Sequence, residues 1–425
     1  MFVFGKRNMK RETGCGSLRI PYFCRKRIDM DTNTPDGGLF AEFPPVSKAA
    51  WLEQVAKSLK DKTMESLEWR LPDGTVLSPF VHADDFAQPP LPLTNDPLHW
   101  EICEAVDAGD SAANADALSA LQGGAEGLRF YFSETPSAET LGALLEGVYL
   151  DFIGLHFSGP GVAANPGTLL AALERLAGTK KLDTAKLRGS LGYDPAAVVG
   201  IVDWRYAADL LPYVSGTFPG FKMLTLQEEH STPHKAGAKG AGEATDALPW
   251  AGLADLLRRG NTYLERLNER GAALADIAAA MQFSLGIGQH YFVEIARIRA
   301  FRLLWPQVLR AWGLAPTYPV VDAQFRPEVY SDDLYTNMIR ATTMAMSAVQ
   351  GGVDRLTVLP YDAGREDKAE YSQAFGRRIA RNVQHLLKLE SGFDQVPDPA
   401  AGSYYIENLT RLFAEKAWAQ FQQTA

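Results

Sequence analysis

The sequence predicts an α/β fold: a (β/α)8 barrel of the TIM type with an extended N-terminal arm. Three observations carry that expectation. Short apolar runs alternate with helical patterns from about residue 125 onward, as βα units in a parallel sheet require. The alternation counts to eight units over about 300 residues, the size of one such barrel. Residues 30–100 lack this rhythm and carry a proline-rich connector instead. A doubly wound parallel sheet is the alternative topology.

Taken in order, residues 1–29 form a basic segment. Lys6, Arg7, Lys10, Arg11, Arg19, Arg25, Lys26 and Arg27 stand against Glu12 and Asp29. The expectation is that translation starts at Met30 and the protein is cytoplasmic; a mitochondrial transit peptide is the alternative. Residues 30–100 read as an arm. In "SKAAWLEQVAKSL" (47–59), Trp51, Val55 and Leu59 share one helical stripe and Ser47 is placed to cap it. "LEWRLPDGTVLSPF" (67–80) reads as a hairpin turning at Pro72-Asp73-Gly74. "QPPLPLTNDP" (88–97) holds four prolines and must be extended.

Residues 101–425 read as the barrel. Strands are expected at 127–132, 149–157, 221–226, 318–325 and 355–360, with less regular runs at 187–193, 282–286 and 393–397 completing eight. Helix 334–350 repeats Leu334, Met338, Ala345 and Val349 and ends at Gly351-Gly352. Helix 371–390 puts Phe375, Ile379, Val383, Leu386 and Leu387 on one face, with Arg377, Arg378, Arg381 and Lys388 elsewhere and Gly392 as its cap. In "DPAAGSYYIENLT" (398–410), Gly402 is expected to turn at positive φ. An extended Tyr404-Tyr405 would follow, with a helix from about Glu407.

Composition excludes several classes. Of 425 residues, 46% are hydrophobic and 22% charged, ordinary for a globular protein. A net charge of −9 argues against a nucleic-acid-binding body. No run of 18 apolar residues offers a membrane span. Cys15, Cys24 and Cys103 are too few and scattered for a disulfide framework or a zinc site, which fits a reducing compartment.

The search for chemistry is sparse. "GIGQHY" (286–291) lacks the third glycine of a dinucleotide loop. Glu228, Glu229, His230 and His234 follow an expected strand, where a barrel places its active site, and could hold a metal or move protons. A solvated loop explains them equally. His290 and Glu294 stand at i and i+4, a spacing for a metal pair. With Arg297, Arg299 and Arg302 following, an exposed ion-pair helix is the expectation. His82, His99 and His385 have no partner visible in sequence, and His156 reads as a hydrogen-bonded core residue.

Several segments together resemble the methylmalonyl-CoA mutase family. They are "LFAEFPPVSKAAWLEQVAKSL" (39–59), "HKAGA" (234–238), "YFVEIARIRAFRLLW" (291–305), "YSDDLYTNMIRATTMAMSAVQGG" (330–352) and "RRIARNVQHLLKLESGFDQVPDPAAGSYYIENLT" (377–410). The opening "LFAEFPP" is most similar to the small subunit of heterodimeric mutases. The resemblance implies an arm, a barrel that threads an acyl-CoA along its axis, and a flavodoxin-like domain for adenosylcobalamin.

The departures from that family point away from catalysis. The CoA-gripping "RTHSQTSGWSL" is replaced by "VDAQFRPEVYS" (321–331), and "WxIRQYAGF" by "WEICEAVDAG" (100–109), with Cys103 at the arginine's position. A carboxylate-bearing acyl group needs a cation to anchor it. The catalytic "YHMQEAGA" becomes "PHKAGA", which leaves His234 as the one candidate catalytic residue. No DxHxxG occurs to ligate cobalt, and no cobalamin-binding domain is expected on the chain. What this implies is a non-catalytic small subunit with a closed or degenerate axis, paired with a large subunit. That large subunit would hold adenosylcobalamin and interconvert methylmalonyl-CoA and succinyl-CoA. A substrate-binding barrel of a split acyl-CoA mutase is the alternative, and a barrel enzyme using Glu228, Glu229, His230 and His234 a third.

Overall fold

Apolar runs with a period of two, each followed by a helix, close here into a parallel barrel. The structure is a computed structural model and describes residues 46–90, 92–94, 96, 98–196, 203–228 and 248–424. The chain divides into two units, residues 1–58 and 59–425. In the first unit the described element is α1 (Lys48–Leu59), where the Ser47 hydroxyl accepts from the Ala50 amide at 3.3 Å, the expected cap. Apart from the Lys57–Glu53 pair of α1, everything below concerns the second unit.

A two-residue ladder comes first, β1 (Trp69–Arg70) against β2 (Val76–Leu77). Gly74 closes its turn at φ 80°, and the Asp73 carboxylate accepts from the Thr75 amide at 2.9 Å. The barrel strands are β3 (Glu101–Asp107), β4 (Gly127–Tyr131), β5 (Gly154–Ser158), β6 (Arg188–Tyr193), β7 (Gly220–Gln227), β8 (Met281–Ile287), β9 (Val321–Phe325) and β10 (Arg355–Thr357). They pair in sequence order and β10 closes onto β3. The surrounding helices are α2 (Ala113–Gln122), α3 (Ala138–Leu144), α4 (Pro160–Ala164), α5 (Pro166–Thr179), α6 (Trp204–Thr217), α7 (Ala251–Asn268), α8 (Leu274–Ala280), α9 (Tyr291–Ala311), α10 (Leu334–Gly351), α11 (Gln373–His385) and α12 (Tyr404–Thr424). The expected (β/α)8 barrel is therefore the fold, and the doubly wound sheet is not.

The eighth strand is not the expected one. Residues 393–397 contain a 3-10 turn, Phe393–Gln395, and the missing strand is β3. "EICEAVD" reads as polar because Glu101 and Glu104 interrupt it, yet both carboxylates are ion-paired inside the fold. The strand expected at 149–157 starts only at Gly154, since Tyr149–Ile153 turn into it. The strands expected at 318–325 and 355–360 shorten to β9 and β10. α12 begins at Tyr404, so Tyr404 and Tyr405 lie on a helix and not on an extended strand.

α9 also departs from expectation. An exposed ion-pair helix was the reading, but Glu294, Arg297 and Arg299 are all buried. Each charge has a fixed counter-charge, which is what makes burial tolerable. Arg299 donates to Asp398 and, at 2.7 Å, to Glu407 on α12. Asp398 stands at φ 40° in the turn that Gly402 completes at φ 79°. Its second oxygen accepts from the Leu93 amide at 2.7 Å, while the Tyr318 hydroxyl donates to the Leu93 carbonyl. One buried arginine thus joins α9, α12 and the proline-rich connector. Upstream of the connector, two residues touch α12: Phe86 lies 5.7 Å ring to ring from Tyr404 and Asp73 3.4 Å from Lys416.

Removing one partner of a buried pair leaves the other charge uncompensated, typically worth 3–5 kcal/mol. Asp398→Ala is therefore expected to lower unfolding free energy by about 3 kcal/mol. Breaking the exposed Lys57–Glu53 pair with Glu53→Gln should change it by less than about 0.5 kcal/mol. Urea titration of both variants checks the contrast; equal effects would refute it.

Candidate functional site

A barrel of eight strands encloses a narrow axis that side chains must fill. Here they are polar. Inward positions bring Glu101 and Cys103 from β3, Arg129 from β4, His156 from β5, Ser190 from β6, Thr225 from β7, Gln282 and Ser284 from β8, Asp322 and Gln324 from β9, and Arg355 and Thr357 from β10. All are buried except Glu101, which is half-buried at one end.

The contacts run across the axis. Arg129 reaches Asp322 at 2.5 Å, passing over β3 and β10. Arg355 approaches the same carboxylate at 3.5 Å and Glu101 at 3.1 Å. Glu101 in turn spans β4 to meet His156 at 2.6 Å. That reach depends on two glycines: a Cβ on Gly127 or Gly154 would lie 2.1 or 2.3 Å from the Glu101 carboxylate. Gln282 donates to Thr225 at 2.8 Å and accepts from Arg355 at 3.4 Å, and Gln324 donates to Ser284 at 3.1 Å.

The electrostatics close on themselves. Burial pushes the Asp322 carboxyl up, but Arg129 and Arg355 outweigh it and hold the group below its ordinary range. Burial likewise opposes ionisation of Glu101, and His156 and Arg355 prevail. Burial, aided by the Arg355 charge, pushes His156 down to about 4. His156 is therefore neutral, and an ionised Glu101 can only accept. Nε2 then carries the proton to Glu101, and Nδ1 accepts from the Ser190 hydroxyl at 2.8 Å. Two cations face two anions, so the plug is neutral.

Glu101, Cys103 and His156 hold their donor atoms within 4.8 Å of one another, a set of metal-ligand type. Its surroundings argue against a cation. Both His156 nitrogens are engaged. Burial pushes the Cys103 thiol up to about 12, so no thiolate is offered. Arg129 and Arg355 occupy the same space as positive charges. The set works as a hydrogen-bonded filling.

At the C-terminal ends of the strands, Glu228 is buried as well. It pairs with Arg297, lies 3.4 Å from Arg326 and accepts from the Gly286 amide at 3.1 Å. Burial opposes its charge, but Arg297 and Arg326 hold it below the usual carboxylate range. Arg297 also takes Glu294 at 2.6 Å. The metal pair that the His290–Glu294 spacing would allow does not form: Glu294 belongs to Arg297, and His290 packs on Trp69 at 5.2 Å. Glu229, His230 and His234 lie outside the described residues. His156 is the hydrogen-bonded core residue the sequence indicated.

Sequence reasoning missed the plug itself. The signal was a single charge in otherwise apolar strands: Arg129 in "GLRFYF", Asp322 in "YPVVDAQF" and Arg355 in "RLTVLP".

The family described as Methylmalonyl-CoA mutase matches residues 136–425. A methylmalonyl-CoA mutase small subunit of Porphyromonas gingivalis is 33% identical over 410 residues, covering 90% of this chain and 63% of that protein. A methylmalonyl-CoA mutase small subunit of Streptomyces virginiae is 32% identical, covering 92% of this chain and 66% of that one. A methylmalonyl-CoA mutase of Cereibacter sphaeroides is 29% identical, covering 88% and 58%. The chain thus spans about two thirds or less of the length of these relatives.

His156 gives the plug a pH signature. An unfolded histidine takes up a proton near 6.5, while the folded one resists until about 4. Below pH 6.5 the unfolded state binds more protons, so stability falls between about pH 6.5 and 4. The loss should be on the order of 3 kcal/mol. His156→Asn should flatten that window, measured by urea unfolding at pH 7, 5.5 and 4.5; an unchanged slope would contradict the assignment.

Proposed function

The chain belongs to the methylmalonyl-CoA mutase family, and on that premise we propose that it is a non-catalytic small subunit. Its partner is a large subunit that binds adenosylcobalamin and interconverts methylmalonyl-CoA and succinyl-CoA. The observation that carries this reading is the filled axis. An acyl-CoA threaded along a barrel needs an open bore, and here Arg129 reaches Asp322 past two strands while Arg355 links Asp322 to Glu101 beside it. No single rotamer change clears it, because each charge would lose its counter-charge.

A cofactor-side site is equally unsupported. At the C-terminal strand ends, Glu228, Glu294, Arg297 and Arg326 are committed to one another. In this reading the chain's share of the activity is to support the large subunit. The relatives' name "small subunit" favours a heterodimer. The plan in this reading is a basic segment over 1–29, an arm over 30–100 whose Leu93, Phe86 and Asp73 lie on this chain's own barrel unit and not on a partner, and a barrel over 101–425. Among the described residues no helix is long and apolar enough to cross a membrane. The reading places the assembly in the cytoplasm, where the buried thiol of Cys103 stays reduced.

Purified alone, the chain should show no cobalamin absorbance, no methylmalonyl-CoA turnover and no heat of acyl-CoA binding. Co-expressed with a large subunit from the same host, it should elute with it in equal amounts. Turnover by the isolated chain would sink the reading. Acyl-CoA binding without turnover would favour the split-mutase barrel instead.

A further inference from the structure

The N-terminal ends of the barrel strands normally serve stability, and their loops are short and polar. Here they surround a pocket of about 610 Å³ whose floor is Glu101 and whose walls include Trp100, Glu126, Asp354, Arg188 and Lys388. Large apolar side chains flank it. On one side the turn before β5 carries Tyr149 and Phe152, 77% and 74% exposed, in edge contact at 6.4 Å; Phe152 itself lines the pocket. On the other side, α11 ends in a π turn over Leu386–Glu390. That turn buries Leu387 and leaves Leu386 and Leu389 48% and 75% exposed, on either side of pocket-lining Lys388. Lys388 is anchored by the Trp100 carbonyl at 2.9 Å and by Glu126 at 2.8 Å. Aromatic and leucine side chains around a concavity are the anatomy of a protein interface, where a few anchors carry most of the affinity.

The charges indicate what enters the pocket. Lys388 is neutralised by Glu126, and the Arg188 guanidinium, the other cation of the lining, is held on the Phe152 carbonyl at 3.0 Å. Asp354 is less well served: it accepts from the Val321 amide at 2.7 Å, and its nearest paired cation, Arg302, is 3.8 Å away. Burial pushes its carboxyl up despite Arg302, Arg355 and Lys222, and the side chain is 42% exposed, so an incoming cation can reach it. Glu101 spends Oε1 on His156 and Arg355, which leaves Oε2 as a second acceptor on the floor.

We infer that this mouth is the docking face for the large subunit, which presents a lysine or arginine flanked by apolar side chains. The inference rests on the small-subunit reading. The basic group would sit between Asp354 and Glu101, and the apolar neighbours would cover Phe152 and Leu389.

The experiment measures affinity between this chain and the large subunit of its own host by surface plasmon resonance. Phe152→Asp and Leu389→Asp alter only exposed side chains and should each weaken binding at least tenfold. Asp354→Asn should weaken it several-fold and flatten the dependence on salt. Ile339→Asp, on the exposed side of α10, should change nothing; thermal melts establish that all four variants fold. A wild-type complex that all three mouth variants form equally well overturns the docking face and leaves the subunit reading standing. Loss of binding with Ile339→Asp alone moves the interface to α10 and overturns the inference too. Failure of the wild-type chain to bind at all overturns both.

Discussion

Everything inside this barrel depends on two arginines finding two carboxylates. Arg129 and Arg355 meet Asp322 and Glu101 in a space that branched apolar side chains usually fill. Desolvating four charges is expensive, and the attraction between them offsets it only if every partner is in place. The network therefore acts on geometry. A slip of one residue in β4 would turn Arg129 out of the axis and leave Asp322 against Arg355 alone. A side chain at Gly127 or Gly154 would displace the Glu101 carboxylate that pins β3 to β5. An apolar filling of the same volume could tolerate such errors; an ionic one cannot.

The same economy of charge recurs outside the axis. Arg299 satisfies Asp398 and Glu407, and Asp398 spends its other oxygen on the connector backbone at Leu93. Arg297 satisfies Glu228 and Glu294. Arg381 satisfies Glu104 beneath α11. In each case the buried charge works inside the fold and is not held for a ligand. An active site requires the opposite, a polar group whose partner is supplied by substrate. Among the described residues these buried carboxylates each have a cation inside the fold, although the Arg326 Nε beside Glu228 is buried without a hydrogen bond.

The short apolar runs and their helices were legible, and so was the barrel, because apolar patterning is set locally. The positive φ of Gly402 and the cap at Ser47 were legible for the same reason. The plug was not, because its partners are 193 residues apart for Arg129 and Asp322 and 254 for Arg355 and Glu101. β3 was lost with it: the charges that make Glu101 and Glu104 look solvated are cancelled by residues on distant strands. α9 was misread similarly, since an i, i+3 pair such as Glu294–Arg297 looks alike on a wet helix and a dry one. A lone charge inside an apolar strand run is the local clue that was available, and three of the eight strands carry it at an inward position.

A shared fold with a filled axis separates what the family's architecture provides from what its chemistry needs. The barrel can be kept as a rigid body while its bore is given up, because closing the bore ties together strands that a channel would leave joined only at their edges. Reopening it is not a matter of one substitution: removing Arg129 strands Asp322, and removing Asp322 strands two guanidiniums. Intermediates between an open and a closed axis are thus penalised on both sides, and the closed state is a separate solution to packing the same eight strands. In the small-subunit reading, function is then carried on the outside, at surfaces such as the one Phe152 and Leu389 flank.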